Sequence, residues 1–167
     1  MQIIRLGLHA LEFFWTLLIM SLDGNIIHDA FAGNPSIINY IMFVAVLSML
    51  SLIYLILVDF KDGFAVHPRL PFGLEVLNAV LFVIGGIALA AYLGVHSCGN
   101  LVYVKHNLIT DGSYDMTKRC HEAQAICAFL WFGFATWAVS AASSLMGDGA
   151  SVSRGGIRRG GPSMSQV

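Results

Sequence analysis

Four stretches of this chain are long and apolar enough to cross a lipid bilayer, and that feature restricts its fold more than any other. A hydrocarbon core about 30 Å thick takes roughly 20 helical residues, because a helix rises about 1.5 Å per residue. The stretch from Ile37 to Val58 carries no charge, and the 25 residues between Glu122 and Asp148 carry none either. The stretch from Leu70 to Val95 holds only Glu75, near its start, whereas the first, Ile3 to Ile27, holds Arg5, Glu12 and Asp23. Composition agrees: 57% of the residues are hydrophobic and 11% charged, against about a quarter charged in soluble domains. A formal net charge of -1 also speaks against a nucleic-acid partner, which would need a concentrated basic surface.

Lys and Arg gather on the cytoplasmic side of membrane proteins. With both termini inside, that side carries Arg5, Lys61, Arg69, Arg154, Arg158 and Arg159, against Lys105, Lys118 and Arg119 outside. The expected fold is therefore all-α and membrane-embedded, with spans over about residues 3–27, 37–58, 70–95 and 123–146 and both termini cytosolic. Ala30-Phe31-Ala32 has the form of a signal-peptide cleavage site. The run before it is too long for the apolar core of such a peptide, and Asp23, His28 and Asp29 intervene.

Residues 147–167 are rich in Gly, Ser and Arg without apolar periodicity and read as a short disordered tail beside the membrane domain of residues 1–146. Arg154, Arg158 and Arg159 suit anionic inner-leaflet lipids or simple solubility, and phosphorylation of neighbouring serines would weaken the lipid attraction. The ending Ser165-Gln166-Val167, with the Val167 carboxylate, has the form of a ligand for a PDZ-like groove.

The connection from His96 to His121 is the largest segment outside the membrane and is bracketed by Cys98 and Cys120. In an oxidising exterior these two can pair; two unpaired thiols are the alternative. Pairing would bring His96 and His121 near each other, an opening for a metal or a pH-sensitive contact. Cys127, inside the fourth span, reads as a small packing residue. Trp15, Tyr40 and Tyr92 serve either as interface or as packing aromatics.

Within the spans, Arg5, His9 and Glu12 share one helix face, as do Glu75 and Asn78. A carboxylate inside a membrane is costly unless paired or wetted, so these stripes either meet lipid headgroups or satisfy each other and lock the helices together. Gly86, Ala90 and Gly94 on the third span, and Ala138 and Ala142 with Ser140 and Ser144 on the fourth, are small residues at spacings of four. Such spacing lets helices approach closely, within one chain or between copies of a homo-oligomer. No nucleophile with a neighbouring base, metal-ligand cluster, HExxH, GxSxG or Walker pattern occurs, so neither enzymatic activity nor a cofactor is expected.

The outer connection and last span carry a more specific pattern: His96-Ser97-Cys98, Asn107, Ile109 to Ser113 (ITDGS), Arg119-Cys120, Ala123-Gln124-Ala125 and Ala128-Phe129-Leu130, with Ser165-Gln166-Val167 at the end. In order and spacing this resembles the fungal non-classical export proteins, MARVEL-domain tetraspan proteins related to synaptogyrins. The first three spans match mainly in hydropathy. The resemblance implies a MARVEL-like four-helix bundle in the plasma membrane, concentrated in furrow-like domains (eisosomes). It also implies responsiveness to sphingolipid or sterol, cytosolic BAR-domain coat proteins as partners, and a link to unconventional secretion. Cys98 and Cys120 correspond to the family's paired outer-loop cysteines, and the C-terminal segment to its cytosolic tail. The function expected is thus a membrane organiser; the rivals are a vesicle-trafficking tetraspan and an oligomeric transporter or channel suggested by Glu12, Glu75 and Asn78.

Overall fold

With no water in a bilayer core to satisfy peptide groups, a spanning segment must close its hydrogen bonds within itself. The computed structural model, which describes residues 2–31, 33–60, 67 and 69–155, does so with long helices. They are α1 (Gln2–His28), α2 (Ser36–Phe60), α3 (Leu70–Leu93), the short α4 (Leu101–His106) and α5 (Met116–Gly155). α1, α2, α3 and the Met116–Met146 part of α5 are long and apolar enough to span. Only 22–39% of their most apolar windows is buried. Most of their apolar surface therefore faces outward, the reverse of a water-soluble bundle.

α1 packs on α2, α2 on α3, α3 on α5, and α5 back on α1, a closed ring of four neighbours. Ile19, Ile38, Ile41, Leu52, Phe82, Leu89, Ile126 and Trp137 fill its centre. Trp15 resolves as a packing residue, its ring centroid 5.7 Å from Phe129 and 5.3 Å from Phe132. The Tyr40 hydroxyl donates to the Leu81 carbonyl at 3.1 Å, tying α2 to α3, whereas Tyr92 is exposed.

The helix ends follow local chemistry. Pro71 opens α3, where its missing N–H costs nothing. Gly94, at φ 59°, closes α3 two residues before the expected end at Val95. α5 begins at Met116 instead of about 123: the Asp115 carboxylate accepts from the Lys118 N–H at 2.9 Å and caps a polar first turn invisible to hydropathy. At its other end the backbone expected to be disordered from residue 147 is helical to Gly155, and residues 156–167 lie outside the described residues.

Small residues set the contact between α3 and α5, though not all those expected. Gly86 is buried, and a Cβ there would lie 3.4 Å from the Trp131 ring. Ala90, Gly94 and Ala142 are exposed and Ala138 is half-buried, so the expected packing stripe stops after Gly86. The closest approach falls instead at Gly133, where a Cβ would overlap the Phe82 ring. Helix geometry explains the shift: the buried face of α5 runs through Gly133, Trp137, Ser140, Ala141 and Ser144, while Ala142 points away from it.

The end of the bundle opposite the N-terminus wears a cap. Cys98 and Cys120 form a disulfide, Cα atoms 5.7 Å apart, buried with Val104. α4 is capped by Asn100, whose side chain accepts from the Val102 and Tyr103 N–H groups. It lies across the end of α3: the Tyr103 hydroxyl donates to the Leu93 carbonyl, and the Asn107 amide donates to the Tyr92 carbonyl at 2.8 Å. The α1–α2 connection joins through a single bridge between Ala30 and Ser113 and the Phe31 N–H donating to the Gly112 carbonyl at 3.0 Å.

Two variants test this packing. Gly133→Ala should destabilise by about 1–3 kcal/mol through overpacking against Phe82, despite alanine's better helix propensity, and Phe82→Leu should restore much of the loss; a higher Tm in detergent for Gly133→Ala would refute the contact. Cys98→Ser should cost about 3 kcal/mol by releasing the closed loop, and Cys98→Ser/Cys120→Ser should cost no more than the single change.

Candidate functional site

The two polar stripes meet at the end of the bundle that holds the N-terminus. Arg5, one turn from the start of α1, reaches Asp59 of α2 at 3.3 Å and Glu75 of α3 at 3.8 Å. One turn deeper, His9 lies between two carboxylates, with Nδ1 2.8 Å from Glu12 and Nε2 3.2 Å from Asp59. α5 contributes hydroxyls: Ser140 donates to Glu12 at 2.5 Å and Ser144 to Glu75 at 2.7 Å. Beside them the Ser48 hydroxyl of α2 donates to Asn78 at 2.6 Å, while the Asn78 amide donates to the Leu74 carbonyl. His9, Glu12, Glu75 and Asn78 are all buried. Every spanning helix thus contributes to one charged and hydrogen-bonded cluster.

The expected stripe residues Arg5, His9, Glu12 and Glu75 therefore come together, whereas Asn78 bonds to Ser48 and to the Leu74 carbonyl beside them. Asp59 lies one residue past the expected end of the second span at 58, yet α2 continues to Phe60 and the Asp59 side chain bridges Arg5 and His9 from its last turn. Ser140 and Ser144, small packing residues by their spacing, act as donors. Their i,i+4 spacing on a helix facing two intramembrane carboxylates was the signal available for that role. Arg154 is on the helical backbone of α5 with its side chain outside the described residues, as are Arg158, Arg159 and Val167 altogether.

What the cluster can do chemically is hold charge away from lipid and fix the four helices against one another. His9 connects Glu12, deep in the bundle, to Asp59 at its edge. Among the described residues no group of three His, Cys, Asp or Glu is arranged to hold a metal ion. His96 stacks on the Tyr103 ring at 4.5 Å.

The opposite end has its own buried ion, Arg119, which sequence reasoning assigned to a loop. Its Nε donates to the Ile109 carbonyl at 2.7 Å, Nη1 to the Ile26 carbonyl at 3.3 Å, and Nη2 to Asn34 at 3.0 Å. Around it, Asn25 donates to Glu122 at 2.5 Å, and the Lys118 ammonium reaches Asp29 at 2.9 Å. The hydrogen bond from Lys118, followed by that from His28, holds the partly exposed Asp29 carboxyl below the usual carboxylate range.

A four-helix ring with a lipid-facing apolar exterior, charges gathered inside at one end and a disulfide-closed cap at the other defines a multi-pass membrane protein. The family model of the membrane-associating domain, MARVEL, matches residues 2–143, and the chain belongs to that family. Non-classical export protein 2 homolog of Schizosaccharomyces pombe is 32% identical over 108 residues, covering 65% of this chain and 57% of that protein. Non-classical export protein 2 homolog 1 of Saccharomyces cerevisiae is 31% identical over 115 residues, covering 68% of this chain and 64% of the relative. Non-classical export protein 2 of the same yeast is 37% identical over 103 residues, covering 61% and 57%. In each case the chain spans less than two thirds of the relative's length. No solved structure matches it.

If the cluster locks the helices, removing a buried acceptor should cost more than removing one donor. Glu75→Ala should lose about 3 kcal/mol by stranding charge, and Ser144→Ala about 1.5 kcal/mol as one hydrogen bond to a charged group. Equilibrium unfolding in mixed micelles measures both. The double variant should fall short of the sum; strict additivity would separate Ser144 from the cluster.

Proposed function

We propose that the chain is a non-catalytic organiser of plasma-membrane domains, responsive to sphingolipid and linked to unconventional export. The observation that carries this reading is the internal pairing of Arg5, His9, Glu12, Asp59 and Glu75 with one another and with serines of α5. Charges engaged in this way lock a bundle instead of lining a solute path, and they leave the outer helix faces apolar for lipid contact. The export link rests on the names of the yeast relatives. A disulfide at the end opposite the N-terminus suits an oxidising exterior, and with the Lys and Arg distribution it supports cytosolic termini. The tail and the residues that connect α2 to α3 would then meet cytosolic BAR-domain coat proteins.

Unequal lipid affinity between two membrane environments is the mechanism, since a ligand biases an equilibrium only through differential binding. A functional fluorescent fusion expressed in yeast should form static surface patches that disperse when sphingolipid synthesis is blocked. A uniform signal indifferent to the block would sink the organiser reading, and a vesicular one would move the function to trafficking.

A further inference from the structure

The cap at the disulfide end carries a cleft of about 430 Å³ that the pairing of the spans does not require. One wall comes from Gly33 and Asn34 of the α1–α2 connection, the other from His106, Asn107, Asp111 and Gly112. These walls are built, not loose. Asn34 is held by Arg119 at 3.0 Å, Asn107 by the Tyr92 carbonyl and the Ile109 N–H, and His106 Nδ1 by the Val102 carbonyl at 2.8 Å. The Asp111 carboxylate accepts from the Gly112 N–H at 2.8 Å through one oxygen. Two glycines at positive φ, Gly33 and Gly112, shape the approach of the two segments.

Next to this cleft stands an exposed aromatic pair. Phe31 and Tyr114 are 60% and 91% exposed, and their rings lie 5.0 Å apart. Each sits two residues from a cleft glycine, and the Phe31 N–H bonds to the Gly112 carbonyl. A rigid frame that holds two aromatic rings in the open presents a contact surface for something else.

Height argues what that is. The spanning part of α5 is 31 residues long, against the roughly 20 a hydrocarbon core takes. Its first two turns hold Lys118, Arg119, His121 and Glu122, so they project beyond the hydrocarbon and carry Tyr114 and the cleft to headgroup level. Acyl chains are therefore the wrong occupant. An anion is disfavoured as well: Asp111 lines the cleft, Arg119 is buried and engaged at Nε and both Nη atoms, and Lys118 is paired with Asp29 and Glu122. Amide, imidazole and carboxylate groups beside aromatic faces match a molecule with a hydroxyl edge and an apolar C–H face.

We propose that this cleft, with the Phe31–Tyr114 pair beside it, binds a neutral sugar or polyol, borne by a lipid headgroup or by a glycan outside the membrane. It goes beyond the organiser reading and uses it only for which side of the membrane supplies the sugar, so the binding assay below can fail while the patch experiment succeeds, and the reverse.

The test uses the full chain in phosphatidylcholine nanodiscs. In one arm, free methyl α-mannoside and methyl β-glucoside are assayed by saturation-transfer difference, with protein-free discs as reference. In the other, mannosyl or glucosyl diacylglycerol is included in the disc and the lipid retained by the protein is counted by native mass spectrometry. Sugar signal or preferential retention in either arm is expected, and retention in the lipid arm alone identifies a headgroup. Tyr114→Ala, a change at an exposed side chain, and Asp111→Asn should each reduce it about five-fold, the scale of one lost aromatic contact or hydrogen bond. No signal in both arms, or signal unchanged in both variants with the Cys98–Cys120 bond intact, would overturn the proposal.

Discussion

A carboxylate drawn into a membrane is costly unless it finds charge and hydrogen-bond partners inside the protein, and the packing around Glu12 and Glu75 depends on that, although the buried Asp23 has no hydrogen bond to either oxygen among the described residues. Glu12 and Glu75 sit on different helices, α1 and α3, which are not direct neighbours in the ring. Arg5 of α1 reaches Glu75 directly and His9 of α1 pairs with Glu12; Asp59 on α2 bridges Arg5 and His9, and Ser140 and Ser144 on α5 bond the two carboxylates from the other side. Apolar side chains alone would leave the rotation of each helix loosely specified, because lipid is as good a neighbour for leucine as another leucine. The ionised and hydroxyl groups remove that freedom, since turning any one helix strands a charge.

The same logic runs with opposite sign at the other end. Arg119 bonds the carbonyl of Ile26 in the last turn of α1, where helical carbonyls lack internal partners, and adds the Ile109 carbonyl and Asn34. One side chain thereby satisfies a helix end and anchors both connections of the cap. The disulfide one residue later, at Cys120, holds the start of the α3–α5 connection to the same turn of α5. Between the two polar ends the core is Ile, Leu, Val, Ala, Phe and Trp with the hydroxyl of Thr16, in keeping with the depth dependence of charge burial.

The sequence made the architecture legible because hydropathy reports directly on the solvent each span meets, and α2, without a charge until Asp59, is its plainest case. Helical spacing also brought Arg5, His9 and Glu12 onto one face correctly. Its failures were equally physical. Hydropathy has no term for a capped polar turn, so on that criterion α5 starts seven residues late and Arg119 falls in a loop. Spacings of four among small residues suggested Ala90, Gly94, Ala138 and Ala142, but spacing does not reveal which face of a helix is turned inward. Gly133, alone in its neighbourhood, became the closest contact because a large partner, Phe82, lies opposite it. Such complementarity belongs to two helices at once and is not written in either.

Engaging the charges internally also decides what the molecule offers its surroundings. Exposed Phe13, Leu17, Phe43, Leu50, Ile87 and Phe132 present acyl chains with a uniform apolar exterior, and such a surface distinguishes lipids only weakly, by length and shape. On the organiser reading, discrimination must then come from where the protein is chemically uneven, at headgroup level. The cap is the uneven part: it is tied covalently and by Arg119 to the spanning helices, and it sets aromatic and polar side chains side by side. A contact made there is transmitted to a bundle whose helices cannot rotate independently, so a lipid preference exercised at the cap would move the whole protein laterally without changing its fold.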